Sequence, residues 1–190
     1  VLLRKISNKT QERRLYIMGN WIANKITAKS IRNLDIFDEN GLIDFNKIIP
    51  EPVNMKDCPD EFRYDLHPNN IVTPSKNRPW FNWYGWRNKF WGVCVNANIH
   101  DSEHTPEDNT IWFNTEWNVP YPIIEEISKM LGDTELELIW EDLDSGFAPV
   151  YRLIWKDGKI IKAYYACYDF ENPENVSVLG EWTELEISDL

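Results

Sequence analysis

The sequence predicts an α+β protein: an antiparallel sheet with one or two helices packed across one face. Three stretches carry that prediction. Residues 135–140, ELELIW, alternate, with Leu136 and Leu138 on one side and Glu135 and Glu137 on the other, the period of a half-buried strand. Lys156-Asp157-Gly158-Lys159 separates apolar runs at 150–155 and 160–166, and Asp-Gly between two such runs signals a hairpin. Residues 122–131 carry Ile123, Ile124, Ile127, Met130 and Leu131 at helical spacing, behind Pro122 and ahead of Gly132. Glu125 and Glu126 near the start of that helix and Lys129 near its end suit the helix dipole.

The other elements follow in chain order. Residues 1–17 hold Arg4, Lys5, Lys9, Arg13 and Arg14 against Glu12 alone. Glu12-Arg13-Arg14 can be encoded GAA-AGG-AGG, a bacterial ribosome-binding purine run, and Met18 follows at initiation distance. The expectation is a non-native or disordered extension over 1–17 with the true start at Met18; the alternative is a basic amphipathic arm. Residues 21–30 read as a first strand, with Ile22, Ile26 and Ala28 on one face. Residues 33–46 are turn-rich, and residues 45–52, FNKIIPEP, pack through Ile48 and Ile49 before two prolines fix an extended exit. Residues 53–79 form a long, proline-punctuated connection.

Residues 78–97, RPWFNWYGWRNKFWGVCVNA, hold four of the ten tryptophans. Trp80, Trp83, Trp86 and Phe90 or Trp91 recur every three to four residues, which predicts a short helix with an apolar face, stopped at Gly92. Val93, Val95, Ala97 and Ile99 then alternate as a strand. An acidic loop at 100–109 leads to a strand at 110–117 with Ile111, Phe113 and Thr115 on one side. The domain is expected over 18–168. An acidic tail follows over 169–190, part of which can dock through Trp182, Leu185 and Ile187.

Composition bounds the function. Hydrophobic content of 43% in 190 residues is enough for one real core. No apolar run reaches the roughly 18 residues of a membrane span. Cys58, Cys94 and Cys167 are odd in number and far apart. That fits buried thiols in a reducing cytosol better than disulfides or a zinc site. The net charge of −11 is uneven: residues 1–100 carry 15 basic and 10 acidic side chains, and residues 101–190 carry 5 and 21. The acidic half disfavours nucleic acid and, if it is more than a solvated face, suits a basic partner.

Five ordered motifs add a family resemblance. They are Met18-Gly19-Asn20-Trp21 with Asn24; Phe45 to Pro52; Trp83-Tyr84-Gly85-Trp86 with Trp91-Gly92 and Asn96-Ala97; Phe113, Thr115, Trp117, Pro120 and Pro122; and Gly146-Phe147 with Asp157-Gly158. Together they resemble the YubB ferredoxin-like domain family of bacteriophages and plasmids, over residues 18–162. The resemblance implies a ferredoxin-like antiparallel sheet and supports Met18 as the start. It implies no activity. Ile22, Val93-Cys94 and Asn118-Val119 depart from the family pattern, and residues 30–45 leave little room for a long helix after the first strand.

Chemical motifs are sparse. His100 and His104 with Asp101 and Glu103 have metal-ligand residue types, but Pro106 and the polar context make a loop and no third ligand is placed, so no metal site is assigned. Phosphate-binding glycine loops and nucleophile elbows are absent. Glu116, or Glu141 with Asp142, has the residue type for acid–base work, but solvated carboxylates explain them as well. The expectation is a cytoplasmic, non-catalytic protein-interaction module of a mobile element, without cofactor, that engages a basic host or phage protein. The alternatives are single-stranded nucleic-acid binding through the tryptophan region and a carboxylate- or metal-dependent hydrolase. Any site is expected at Trp83, Trp86, Glu116 and Trp117, where the tryptophan element meets the end of the strand at 110–117.

Overall fold

The computed structural model describes residues 20–53, 82–98, 109–145, 148–168 and 179–189. The extension at 1–17, the start at Met18, most of the proline-rich connection, Trp80, Cys58, the His100–His104 loop and Gly146-Phe147 lie outside the described residues.

Six strands form one open, wholly antiparallel sheet. They are β1 (Trp21–Thr27), β2 (Thr110–Glu116), β3 (Leu136–Asp142), β4 (Val150–Lys156), β5 (Lys159–Ala166) and β6 (Thr183–Leu185). Their order is β2-β1-β3-β4-β5-β6, so β1 lies between two strands made much later in the chain. The helices among the described residues are α1 (Phe45–Ile48), α2 (Trp83–Phe90) and α3 (Tyr121–Leu131), with single 3-10 turns at Ile31–Asn33 and Ile187–Asp189. The α+β class stands as expected, with one helix more than the sequence led us to expect. That helix, α1, is a single turn started by Asp44, whose side chain accepts from Asn46 N–H.

Alternation puts Ile22 and Ile26 of β1, Ile111 and Phe113 of β2, Leu136 and Leu138 of β3 and Leu153 of β4 on one face. All three helices bury side chains against that face: Phe45 and Ile48 from α1, Trp86 from α2, and Ile123, Ile124 and Ile127 from α3. Each isoleucine so buried is worth about 1.5–3 kcal/mol. A smaller cluster of Trp21, Ala23, Leu143, Val150 and Tyr168 covers part of the opposite face.

Several expectations need correction. Met130 is exposed. It falls on the margin of the buried arc of α3, in the last turn. The inner positions go to the isoleucines and to Ser128, whose hydroxyl accepts from Gly158 N–H at 3.1 Å. Residues 93–98 form no strand; a single bridge joins Asn98 to Asn114 at the outer edge of β2. Asn96 explains why. Its side-chain oxygen accepts from Phe45 N–H at 2.9 Å and its amide nitrogen donates to Asp44 at 2.7 Å, tying the segment to the start of α1. The thiols are less buried than expected: Cys94 is half-buried and Cys167, just past β5, is exposed.

The hairpin at Asp157-Gly158 forms as expected, with φ of 47° and 72°, the left-handed pair that a two-residue turn needs. Part of the tail docks: β6 pairs with β5, while Ile187 is exposed.

Candidate functional site

The tryptophan element divides into core and surface. Asn82 caps α2 by accepting from Gly85 N–H at 3.0 Å. Trp86 is 4% exposed and packs on Phe90 and Trp91, with ring centroids 4.9 and 5.9 Å apart. Trp91 Nε1 donates to Ile49 O at 2.8 Å, which pins the end of α2 to the exit of α1. Trp83 does not join this core: it is 41% exposed, in the first turn, and Tyr84 beside it is exposed as well.

Arg87 binds these parts together. Its guanidinium carbon lies 5.1 Å from the Trp83 ring centroid and 4.8 Å from that of Trp91. It donates through Nε and Nη2 to both oxygens of the buried Glu51 carboxylate and through Nη1 to Cys94 O at 3.2 Å.

Glu116 and Trp117 close β2. Trp117 is 58% exposed, and its φ of 68° is unusual for a bulky residue. Its N–H donates to Asn20 O at 2.7 Å, and Asn118 N–H donates to Glu116 O at 2.8 Å, which holds the bend. Burial pushes the Cys94 thiol pKa up, and the Glu116 carboxylate pushes it further. Trp86 lies in the core, whereas Trp83, Glu116 and Trp117 are accessible in part.

Sequence reasoning missed a second cluster, on the helix-bearing face of the sheet. Asn24 is 1% exposed and stands opposite Trp140 on β3. Its Nδ2 donates to Ile22 O at 3.1 Å and to Thr115 Oγ1 at 2.9 Å, and Thr115 Oγ1 donates to Asn118 O at 2.7 Å. Because the Thr115 hydrogen is committed to Asn118, Asn24 must present its nitrogen to Thr115, toward β2. Its Oδ1 is buried without a hydrogen-bond partner among the described residues. The indole Nε1 atoms of Trp140 and Trp155 are also buried, and among the described residues neither makes a hydrogen bond of good geometry.

Trp140 stacks on Tyr151, with centroids 4.4 Å apart and planes 15° apart. Tyr121, the first residue of α3, lies over this region with its ring 6.3 Å from that of Trp155. Burial raises the pKa of the Tyr121 hydroxyl, and the nearby Trp140 acts against that rise. The available signal was Asn24 itself, a polar residue at a core position between Ile22 and Ile26.

Among the described residues no group of three or more histidine, cysteine or acidic side chains is placed to hold a metal ion. The His100–His104 loop lies outside them. No helix among them is long and apolar enough to cross a membrane.

The sheet and its helices define a ferredoxin-like α+β domain. Residues 95–185 match the family model described as a ferredoxin-like domain in Api92-like protein. The match spans β2 to β6, just under half the chain, and carries a fold without an activity. No curated protein and no solved structure matches the chain.

Proposed function

We propose that the chain is a non-catalytic interaction module whose acidic C-terminal half docks a basic protein. The carrying observation is the edge strand β6 and its flanks, where Glu181, Glu184 and Glu186 are exposed and form no ion pair among the described residues. Elsewhere in this half Lys129 pairs with Glu125 and Glu126, Arg152 with Glu137 and Lys156 with Asp133. Three of its five cations are therefore taken, and these three glutamates at the sheet edge are left among the unpaired acidic side chains of the described residues. Charge at an edge also blocks unwanted strand pairing, so the same residues serve solubility. The motif resemblance to the YubB ferredoxin-like family supports a mobile-element origin, with a host or phage protein as the partner in the cytoplasm.

The test is capture of proteins from bacterial lysate on the immobilised chain across a salt series. Capture should fall steeply between low and about 0.5 M salt and be lost when Glu181, Glu184 and Glu186 are all changed to Lys. Capture indifferent to both changes would sink the reading.

Single-strand binding through the tryptophan region is the competing reading. Exposed Trp83 and Tyr84, beside the exposed Lys89, favour it, although Trp86 has no free ring face to offer. Tryptophan fluorescence during low-salt oligonucleotide titration separates the two.

A further inference from the structure

We propose that the basic partner docks on β6 as an added strand: an extended peptide segment with lysine or arginine at alternate positions, paired backbone to backbone along the sheet edge. This mode of binding rests on the acidic docking surface proposed above.

The two edges of the sheet are built differently. The outer edge of β2 is occupied along most of its length. Arg32 Nη2 donates to Thr110 O at 2.8 Å, Asn98 exchanges two backbone hydrogen bonds with Asn114, and Asn118 N–H donates to Glu116 O. The other edge is β6, which pairs with β5 on one side and with no described strand on the other. The extended segment is longer than β6 itself. Leu179 bridges Tyr168, and Gly180 N–H donates to Cys167 O at 2.9 Å, so residues 179–185 run along β5. At about 3.3 Å per residue that is an edge of roughly 20 Å, enough to seat a peptide strand. The outward N–H and C=O groups of such an edge are a template for another chain.

Side chains decide which chain is admitted. Glu184 stands beside Tyr164, its partner on β5, on the face opposite the helices, and Glu181 and Glu186 flank the strand. All three are exposed, and residues 179–186 hold no lysine, arginine or proline. Charge of one sign makes the edge selective. A second copy of this edge sets glutamate against glutamate and is repelled, whereas a strand with lysine opposite Glu184 is attracted. The rings of Tyr164 and Trp182 lie around Arg152 on the same face, 5.5 and 6.0 Å from its guanidinium carbon, and Glu137 offsets the Arg152 charge. These rings offer apolar surface to the aliphatic stem of an incoming lysine.

The experiment uses the full chain and a fluorescently labelled peptide of alternating lysine and threonine, with binding followed by anisotropy. Two further peptides carry backbone N-methyl groups on all the lysines or on all the threonines. Alternate amides of a strand point to opposite edges, so one methylated set blocks the docking edge and the other leaves it intact. The unmodified peptide should bind saturably. One methylated peptide should bind about tenfold or more weakly, and the other as the unmodified one does. Glu184→Lys should weaken binding, and bound peptide should slow amide hydrogen exchange within residues 179–186. Equal binding of all three peptides, equal loss of both methylated ones, or exchange left unchanged overturns strand addition. If all three bind equally, and Glu184→Lys and salt both weaken them, acidic docking stands without an added strand. No binding of the unmodified peptide also overturns strand addition, and the lysate capture then decides acidic docking separately.

Discussion

Arg87 lies against the rings of Trp83 and Trp91 while it grips Glu51 and the Cys94 carbonyl, so one side chain joins α1, α2 and the segment after α2. Arg87→Ala takes the guanidinium from beside a buried carboxylate and should cost about 3 kcal/mol. Arg87→Lys should recover only part of that, because a point charge cannot reproduce the two-pronged contact. Urea unfolding measures both, and a loss for Arg87→Ala within experimental error would show that the pair is decorative. The role of this residue is not visible in the sequence. Its importance comes from Glu51, 36 positions earlier, and no periodicity reports a partner so distant. The same limit applies to the tryptophans. Spacing aligned Trp83 and Trp86 on one stripe, but cover over the first turn depends on other segments, and Trp83 lacks it. Asn24 was readable as an oddity, a polar residue inside an apolar alternation, while its relay to Thr115 across 91 positions was not.

Elements whose rules are local came through clearly. The Asp157-Gly158 hairpin and α3 with its Pro122 start and Gly132 stop are both set within a few residues. Residues 93–98 were misread because their alternation is real but their partner is Asn96 to α1, a contact 51 positions away. Two glycines separate turn chemistry from packing. Gly158 has φ of 72°, and an added Cβ would meet only the flexible Lys129 side chain. Gly158→Ala should therefore cost about 1 kcal/mol, the backbone strain alone. Gly92 has φ of 79°, and its Cβ would come within 2.9 Å of Pro122 Cδ and 3.2 Å of Val119 O, which are held by the start of α3. Gly92→Ala should cost about 3 kcal/mol because strain and collision add. Thermal unfolding of the two variants checks the order, and equal losses would remove the claim that α2 and α3 meet tightly at Gly92.

At the scale of the whole molecule, the class of fold was readable and the strand order was not. Alternating runs announce strands, but nothing local says that β1 inserts between β2 and β3. The family match begins at residue 95 and so leaves β1 out, although β1 joins β2 to the rest of the sheet. A fragment beginning at Val95 should therefore fail to fold: circular dichroism should show no cooperative melt, and a sharp transition would prove β1 dispensable. The arrangement also bears on synthesis. Thr27 meets Thr110 across 83 positions, and Trp21 meets Asp144 across 123. At roughly 5–20 residues per second, a ribosome needs on the order of ten seconds to make what β1 will pair with. Through that interval the nascent strand is an unpaired edge. Lys25 and Lys29 then act as charged guards against neighbouring chains, a duty finished before Lys25 settles over the Trp112 ring.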